Sequence, residues 1–145
     1  VGSLYHDDVM DEADLRRGSD SANARWGNTV AILTDGLENA SHRYTWKDIS
    51  ARIKLQSEIY KWTFLFLGAN QDAIATAAQL NISAGNAASY VADASGSRAA
   101  HAAFSRKASA LRKQTIGSAS VAEERDAAAP MADLLAEEDR TERGA

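Results

Sequence analysis

Residues 62–67, WTFLFL, are almost continuously apolar and aromatic, and Gly68 closes the run. A short run of this kind is typical of a strand that is covered on both faces. Two further runs also predict strands, residues 29–33, TVAIL, and the weaker residues 87–92, AASYVA. Because helical patterns separate these runs, the sequence predicts right-handed β-α-β units and a parallel sheet.

The helical patterns carry recognisable end signals. Thr45 and Asp48 form a capping box at the start of the first helix after the predicted sheet begins. A second helix is predicted over residues 72–80, with Asn81 directly after its C-cap. Ser97 is the expected N-cap of a last helix. The predicted fold class is therefore α/β, a partial doubly wound parallel sheet of about three strands.

Composition sets the class of protein. The chain has 145 residues, of which 45% are apolar and 25% are charged, and these shares are those of a soluble globular protein. No apolar run is long enough to span a membrane. The chain has no cysteine, which excludes disulfide frameworks and makes the cytoplasm the expected location. The net charge of −4 argues against nucleic acid as a partner.

The acidity of the chain is concentrated at its C-terminal end. Residues 117–145 carry eight acidic side chains against three arginines. We expect this segment to be an acidic, solvated tail that is disordered or weakly helical. The predicted division is an N-terminal helix and loop over residues 1–29, a partial α/β module over 30–116 and the tail over 117–145.

Residues 3–17 have a helical spacing that ends at Gly18, a residue suited to the end of a helix. The segment carries Asp7, Asp8 and Asp11 in the pattern D-D-x-x-D, which places three carboxylates close together on a helix. Like charges at this spacing repel, and divalent cations such as Mg²⁺ neutralise them. The alternative is a solvated acidic helix that binds Mg²⁺ weakly.

Residues 2–33, with DDVMDEADLRRG followed by SANARWGN, resemble the first aspartate-rich motif of the trans-polyprenyl diphosphate synthases. The resemblance implies that Asp7, Asp8 and Asp11 hold Mg²⁺ on an allylic diphosphate. It also implies that Arg16 binds the allylic diphosphate and Arg17 binds isopentenyl diphosphate. That family has a longer, all-helical fold with a second aspartate-rich motif, and no second D-D pair follows Asp8 in this chain.

Residues 30–115 resemble the C-terminal half of a bacterial von Willebrand factor type A (vWA) domain. The resemblance rests on VAILTDGLENAS and FLGANQD. It implies a Mg²⁺-dependent adhesion site at the carboxyl ends of the strands, with Asp35 as a metal ligand and Asn70 and Asp72 on the same rim. The alternative for Asn70 and Asp72 is a loop residue and a helix N-cap.

Asp93, Ser95 and Ser97 match D-x-S-x-S, a metal-binding pattern of the vWA family, but follow Asp35 instead of preceding it. In the strand order of that family, their strand is two positions from the strand that ends at Asp35. Two strand steps separate the backbones by about 9.6 Å, so ligands from both strands would be stretched to reach one Mg²⁺. The alternative is a loop that caps a helix.

The two resemblances meet near residues 30–33 and predict a chimera of two incomplete Mg²⁺ sites. The predicted function is a non-catalytic, partial vWA-like module that binds a protein partner weakly with the help of a divalent metal. The alternative is a fragment of a trans-polyprenyl diphosphate synthase that takes an allylic diphosphate and is inactive alone. A third expectation is self-association through the exposed edge of an incomplete sheet.

Overall fold

A computed structural model describes residues 15–16, 19–20, 28–34, 43–69 and 72–144. The strands are β1 (Leu15–Arg16), β2 (Ser19–Asp20), β3 (Thr29–Thr34), β4 (Thr63–Ala69) and β5 (Ala87–Tyr90). The α-helices are α1 (Trp46–Glu58), α2 (Ala73–Gln79), α3 (Ala94–Thr115), α4 (Val121–Ala128) and α5 (Met131–Gly144), with a short 3-10 helix at Ala84–Asn86.

The predicted N-terminal helix is wrong at its C-terminal end. Leu15 and Arg16 form β1, which pairs with β2 in antiparallel register, Leu15 with Asp20 and Arg16 with Ser19. This register leaves two residues between the strands, and the second is a glycine. The helical spacing of the segment therefore does not decide the backbone at Leu15 and Arg16, where pairing with Asp20 and Ser19 does.

The predicted parallel sheet is confirmed. Its strand order is β3-β4-β5, and both pairs are parallel. Residue Thr29 lies opposite Thr63, and Phe66 lies opposite Ala87. The strand β5 is therefore two positions from β3, as expected. Its pairing ends at Tyr90, two residues earlier than predicted.

One face of the sheet is covered by α1 and α2. Phe64 and Phe66 of β4 point to this face and pack with Ile53 of α1 and with Ala73 and Ala77 of α2. The rings of Trp62 and Phe64 lie 6.1 Å apart between centroids. The aromatic residues of the WTFLFL run thus form the core of this layer.

The opposite face is covered by α3 and α5. Leu65 and Leu67, which alternate with the phenylalanines along β4, are completely buried against Ala99 and Phe104 of α3 and Leu134 of α5. Alternating side chains of a strand point to opposite faces, so β4 contributes to both layers. The structure is therefore a mixed α/β fold, and its vWA-like character and doubly wound arrangement stay predictions.

Two predicted helix ends are confirmed. The hydroxyl of Thr45 accepts a hydrogen bond from the Asp48 N–H at 3.2 Å, and the Asp48 carboxylate accepts one from the Thr45 N–H at 2.8 Å. Asn81 has φ 60°, and the Ile82 N–H donates to the Ala77 carbonyl at 2.9 Å. These bonds close the C-terminal turn of α2 in the manner expected for Asn in a left-handed conformation.

The start of α3 differs from the prediction. Asp93, not Ser97, is its N-cap, so Ser97 lies within the helix. The Asp93 carboxylate accepts the Gly96 N–H at 2.6 Å, and in this first turn a Cβ atom on residue 96 would lie 1.9 Å from the Val91 carbonyl oxygen. Only glycine fits at this position, because any side chain would clash with the end of β5.

The C-terminal segment folds onto the sheet, although its composition predicted a solvated tail. It forms α4 and α5. Met131 and Leu134 are essentially completely buried against the layer that contains α3. Composition alone does not reveal the apolar stripe by which these helices pack. Within the described residues, no helix is both long and apolar enough to cross a membrane.

Candidate functional site

Most of the residues predicted to bind metal or diphosphate lie outside the described part of the chain. These are Asp7, Asp8, Asp11 and Arg17 of the aspartate-rich segment, and Asp35 and Asn70 of the vWA-like segment. Arg16 is described as part of the backbone of β1. The roles assigned to these residues remain predictions.

Asp72 lies at the carboxyl edge of the sheet, three residues after the end of β4. Its carboxylate accepts a hydrogen bond from the Ala75 N–H at 3.1 Å and so caps α2. Next to it, the Ala73 N–H donates to the Ser89 hydroxyl of β5 at 3.2 Å. The first turn of α2, which follows β4 in the chain, thus links the carboxyl ends of β4 and β5. Asp72 is the N-cap of α2, which was the alternative to its predicted place on the rim of a metal site.

Asp93 is engaged on both of its carboxylate oxygens. One oxygen accepts a hydrogen bond from the Gly96 N–H at 2.6 Å, and the other pairs with Arg143 at 3.0 Å. The Arg143 hydrogen bonds, followed by that of Gly96, hold the pKa of Asp93 below its ordinary value. This carboxylate therefore stabilises the start of α3 and ties it to the end of α5.

The two serines of the D-x-S-x-S match do not converge with Asp93 on one point. The Ser95 hydroxyl accepts a hydrogen bond from Arg98 at 3.3 Å, and Ser97 lies further along the helix. In the described part of the chain, no group of three His, Asp or Glu side chains is arranged to hold a metal ion. The local geometry corresponds to the alternative, a loop that caps a helix.

A hollow of about 360 Å³ lies at the carboxyl end of β5. Ile74 and Val91 lie at its wall and are about half exposed, and Leu135 and Asp139 of α5 face it from the other side. The carboxyl edge is where ligands bind in open parallel sheets. Sequence reasoning missed this hollow because α5, which forms one wall, was expected to be a solvated tail.

A second feature that sequence reasoning missed is the charged contact between α3 and the C-terminal helices. Arg106 binds Asp126 through two hydrogen bonds of 2.7 Å and also pairs with Glu137 at 2.8 Å and Glu138 at 3.3 Å. The pKa of Arg106 is raised mainly by its hydrogen bonds to Asp126. The sequence contains one indication of this contact. Two basic residues, 106 and 107, lie in a predicted helix that is followed by a strongly acidic segment.

Lys107 provides the buried part of the same contact. Its side chain is almost completely buried, and its Nζ donates to the carbonyl oxygens of Ala127 and Ala129, both at 2.6 Å. A third carbonyl, of Asp126, lies at 3.3 Å. Burial lowers the pKa of Lys107, and the nearby charge of Asp126 opposes this effect. Lys107 thus satisfies the carbonyl groups at the C-terminal end of α4, which have no partner within that helix.

Comparison with known proteins finds a family match in the N-terminal part of the chain. Residues 1–63 match the family model described as Polyprenyl synthetase. The nonaprenyl diphosphate synthase of Mycobacterium tuberculosis is 73% identical over 33 residues, which are 23% of this chain and 10% of that protein. The octaprenyl diphosphate synthase of Escherichia coli is 55% identical over 33 residues, again 23% of this chain and 10% of the relative.

The heptaprenyl diphosphate synthase component 2 of Geobacillus stearothermophilus is 53% identical over 34 residues, 23% of this chain and 11% of that protein. The chain thus spans about a tenth of the length of the curated relatives that it matches. No solved structure matches the chain. The resemblance of the N-terminal segment to polyprenyl synthases is therefore confirmed, whereas the findings lend no support to a vWA segment or to a chimera.

Proposed function

We propose that the N-terminal segment of this chain binds a diphosphate with the help of Mg²⁺, as a fragment of a trans-polyprenyl diphosphate synthase that cannot transfer prenyl groups alone. The match of residues 1–63 to the Polyprenyl synthetase model carries this proposal. The 73% identity to the nonaprenyl diphosphate synthase of Mycobacterium tuberculosis over 33 residues adds to it.

The residue types of the segment suit this role. Asp7, Asp8 and Asp11 offer carboxylate oxygens, the ligands that Mg²⁺ prefers in proteins. Arg16 and Arg17 offer planar sets of N–H donors that bind phosphate oxygens in pairs. When bound, Mg²⁺ would stabilise the negative charge that develops on a departing diphosphate. The carboxylates would fix the position of the metal, and the arginines would orient the diphosphate.

The acidic residues at the other end of the chain do not complete a synthase site. Glu137 and Glu138 pair with Arg106, Asp139 pairs with Arg143, and Glu142 pairs with Arg98 at 2.8 Å. These carboxylates already have cationic partners within the fold, so they are not a free second acidic cluster. Prenyl transfer would therefore require residues beyond those paired carboxylates.

The test is the binding of inorganic diphosphate to the full chain, measured by calorimetry with and without Mg²⁺. We expect binding that requires Mg²⁺ and is lost in Asp8→Asn. Asp133→Asn is the matched control, because Asp133 is an exposed aspartate in the first turn of α5, far along the chain from the motif. We also expect no prenyl transfer from an allylic diphosphate to isopentenyl diphosphate. Binding that ignores Mg²⁺, or that both variants reduce equally, would contradict the proposal.

A second candidate is a partner-binding module that uses the carboxyl edge of the parallel sheet. The hollow beside β5, which lies at this edge, is the observation that favours it. This function would depend on Asp35 instead of Asp8, so Asp35→Ala and Asp8→Asn distinguish the two candidates. Chelation of divalent metal would abolish both, whereas diphosphate binding would respond only to Asp8→Asn.

A further inference from the structure

The outer edge of β3 has features that the proposed function does not use. Within the described residues, β3 pairs with β4 alone and forms one edge of the sheet. Alternate N–H and C=O groups of an edge strand point away from the sheet and can pair with another strand. The strand sequence TVAILT contains no charged residue and no proline, the residue types that commonly prevent such pairing.

Apolar side chains of α1, the helix whose Ile53 lies in the cluster against which Val30 and Ile32 of β3 pack, are only partly covered. Trp46, Ile49 and Ile53 follow one another at helical spacing on one face of α1, and Ile53 is 4% exposed, whereas Trp46 and Ile49 are 39% and 40% exposed. On the opposite face of the sheet, Leu33 is 38% exposed. Apolar side chains on both faces of the sheet are therefore available for further contacts.

We propose that a second copy of this chain pairs with the edge, β3 against β3, in antiparallel orientation. A two-fold axis normal to the sheet would place Ala31 opposite Ala31, Val30 opposite Ile32 and Thr29 opposite Leu33. This symmetry keeps equivalent side chains on the same face, so α1 of both copies would lie on one side and α3 of both on the other. The result is a continuous six-stranded sheet.

A second copy fits the edge better than an unrelated strand for two reasons. The strand presents only uncharged groups, and such an edge is self-complementary because no charge has to be matched across the axis. Three strands are also few for a sheet, and six strands lie within the usual range of about four to six. This proposal is independent of the proposed function, since it uses none of the N-terminal aspartates.

The first test is the mass of the full chain in solution, measured by size-exclusion chromatography with light scattering. We expect twice the chain mass of 15.5 kDa, and the mass of one chain for Leu33→Lys. Val121→Lys is the matched control, because Val121 is 91% exposed on α4 and should leave the dimer intact. Circular dichroism establishes that both variants remain folded. A wild-type monomer at every concentration would overturn the proposal.

The second test uses the absence of cysteine from the chain. In Ala31→Cys, mild oxidation should form an intermolecular disulfide, because the two cysteines would face each other across the axis. Val121→Cys should not form this bond at the same concentration. A dimer in which Ala31→Cys does not cross-link would show that copies meet elsewhere. A monomer whose β3 amides are protected from hydrogen exchange would show that another part of the chain covers the edge. Either result overturns the proposal.

Discussion

Replacing Lys107 by methionine removes one buried ammonium group and keeps the apolar stem of the side chain. In the folded protein, Nζ donates to the carbonyl oxygens of Ala127 and Ala129 at 2.6 Å each. These carbonyls lie at the C-terminal end of α4, where a helix has no internal donors. Lys107→Met therefore leaves two acceptors without their charged donor, at the point where α4 meets α3.

The expected loss of stability follows from two opposing contributions. A buried acceptor that loses its partner costs about 1–3 kcal/mol, so two acceptors cost about 2–6 kcal/mol. Burial lowers the pKa of Lys107, which shows that the fold disfavours its charged form, and removal of the ammonium recovers that desolvation cost. Ala129 is partly exposed, so water can replace one of the bonds. We expect a net loss of about 2–3 kcal/mol in the free energy of unfolding.

The measurement is urea unfolding followed by circular dichroism. Lys54→Met is the matched control, because Lys54 is an exposed lysine on α1. An exposed substitution of this kind should change the free energy of unfolding by less than about 0.5 kcal/mol. If Lys107→Met is no more destabilising than Lys54→Met, Lys107 does not hold α4 against α3, and the reasoning above is refuted.

Two further predictions concern the same half of the molecule. Hydrogen bonds from Arg106 hold the pKa of Asp126 below its ordinary value, so the unfolded chain takes up this proton first as the pH falls. The free energy of unfolding should therefore decrease below about pH 4, and this decrease should be smaller in Asp126→Asn, as measured by urea unfolding across pH. Gly96→Ala should lower stability by about 1–3 kcal/mol, because its Cβ would lie 1.9 Å from the Val91 carbonyl oxygen. Gly144→Ala, where the added Cβ meets open space, should change thermal stability little, and equal losses in the two glycine variants would contradict the steric explanation.

Features that depend on a few neighbouring residues could be predicted from the sequence. The Thr45–Asp48 capping box and the left-handed Asn81 were predicted, because side chain and backbone within one helical turn determine both. The nearly continuous apolar run around Leu65 in β4 also sufficed to predict a strand covered on both faces. Local rules apply in these cases because the interacting groups are neighbours in the chain.

Features that depend on distant residues could not be predicted in the same way. The sequence analysis expected Ser97 as the N-cap of α3, whereas Asp93 is the N-cap and Gly96, which follows it, lies close to the end of β5. The partners of Arg106 lie between 20 and 32 residues away, so the net charge of the C-terminal segment did not reveal that its carboxylates were paired. For the candidate site, the residue types of the N-terminal segment indicate diphosphate chemistry, whereas the hollow beside β5 depends on where α5 packs.

The family match ends at residue 63, the first residue of β4, and this boundary falls inside a folded unit. The Thr63 N–H donates to the Asn28 carbonyl at 2.8 Å, and Ile53 of α1 packs with Phe64 and Phe66. Because β3 and α1 lie within the match and most of their partners lie beyond it, this part of the matched segment depends on the residues that follow. The synthase resemblance implied an all-helical continuation. In the described residues that follow the aspartate-rich segment, the chain instead forms a parallel sheet, so the diphosphate binding proposed for this segment is tied to a chain that continues as β-α-β structure.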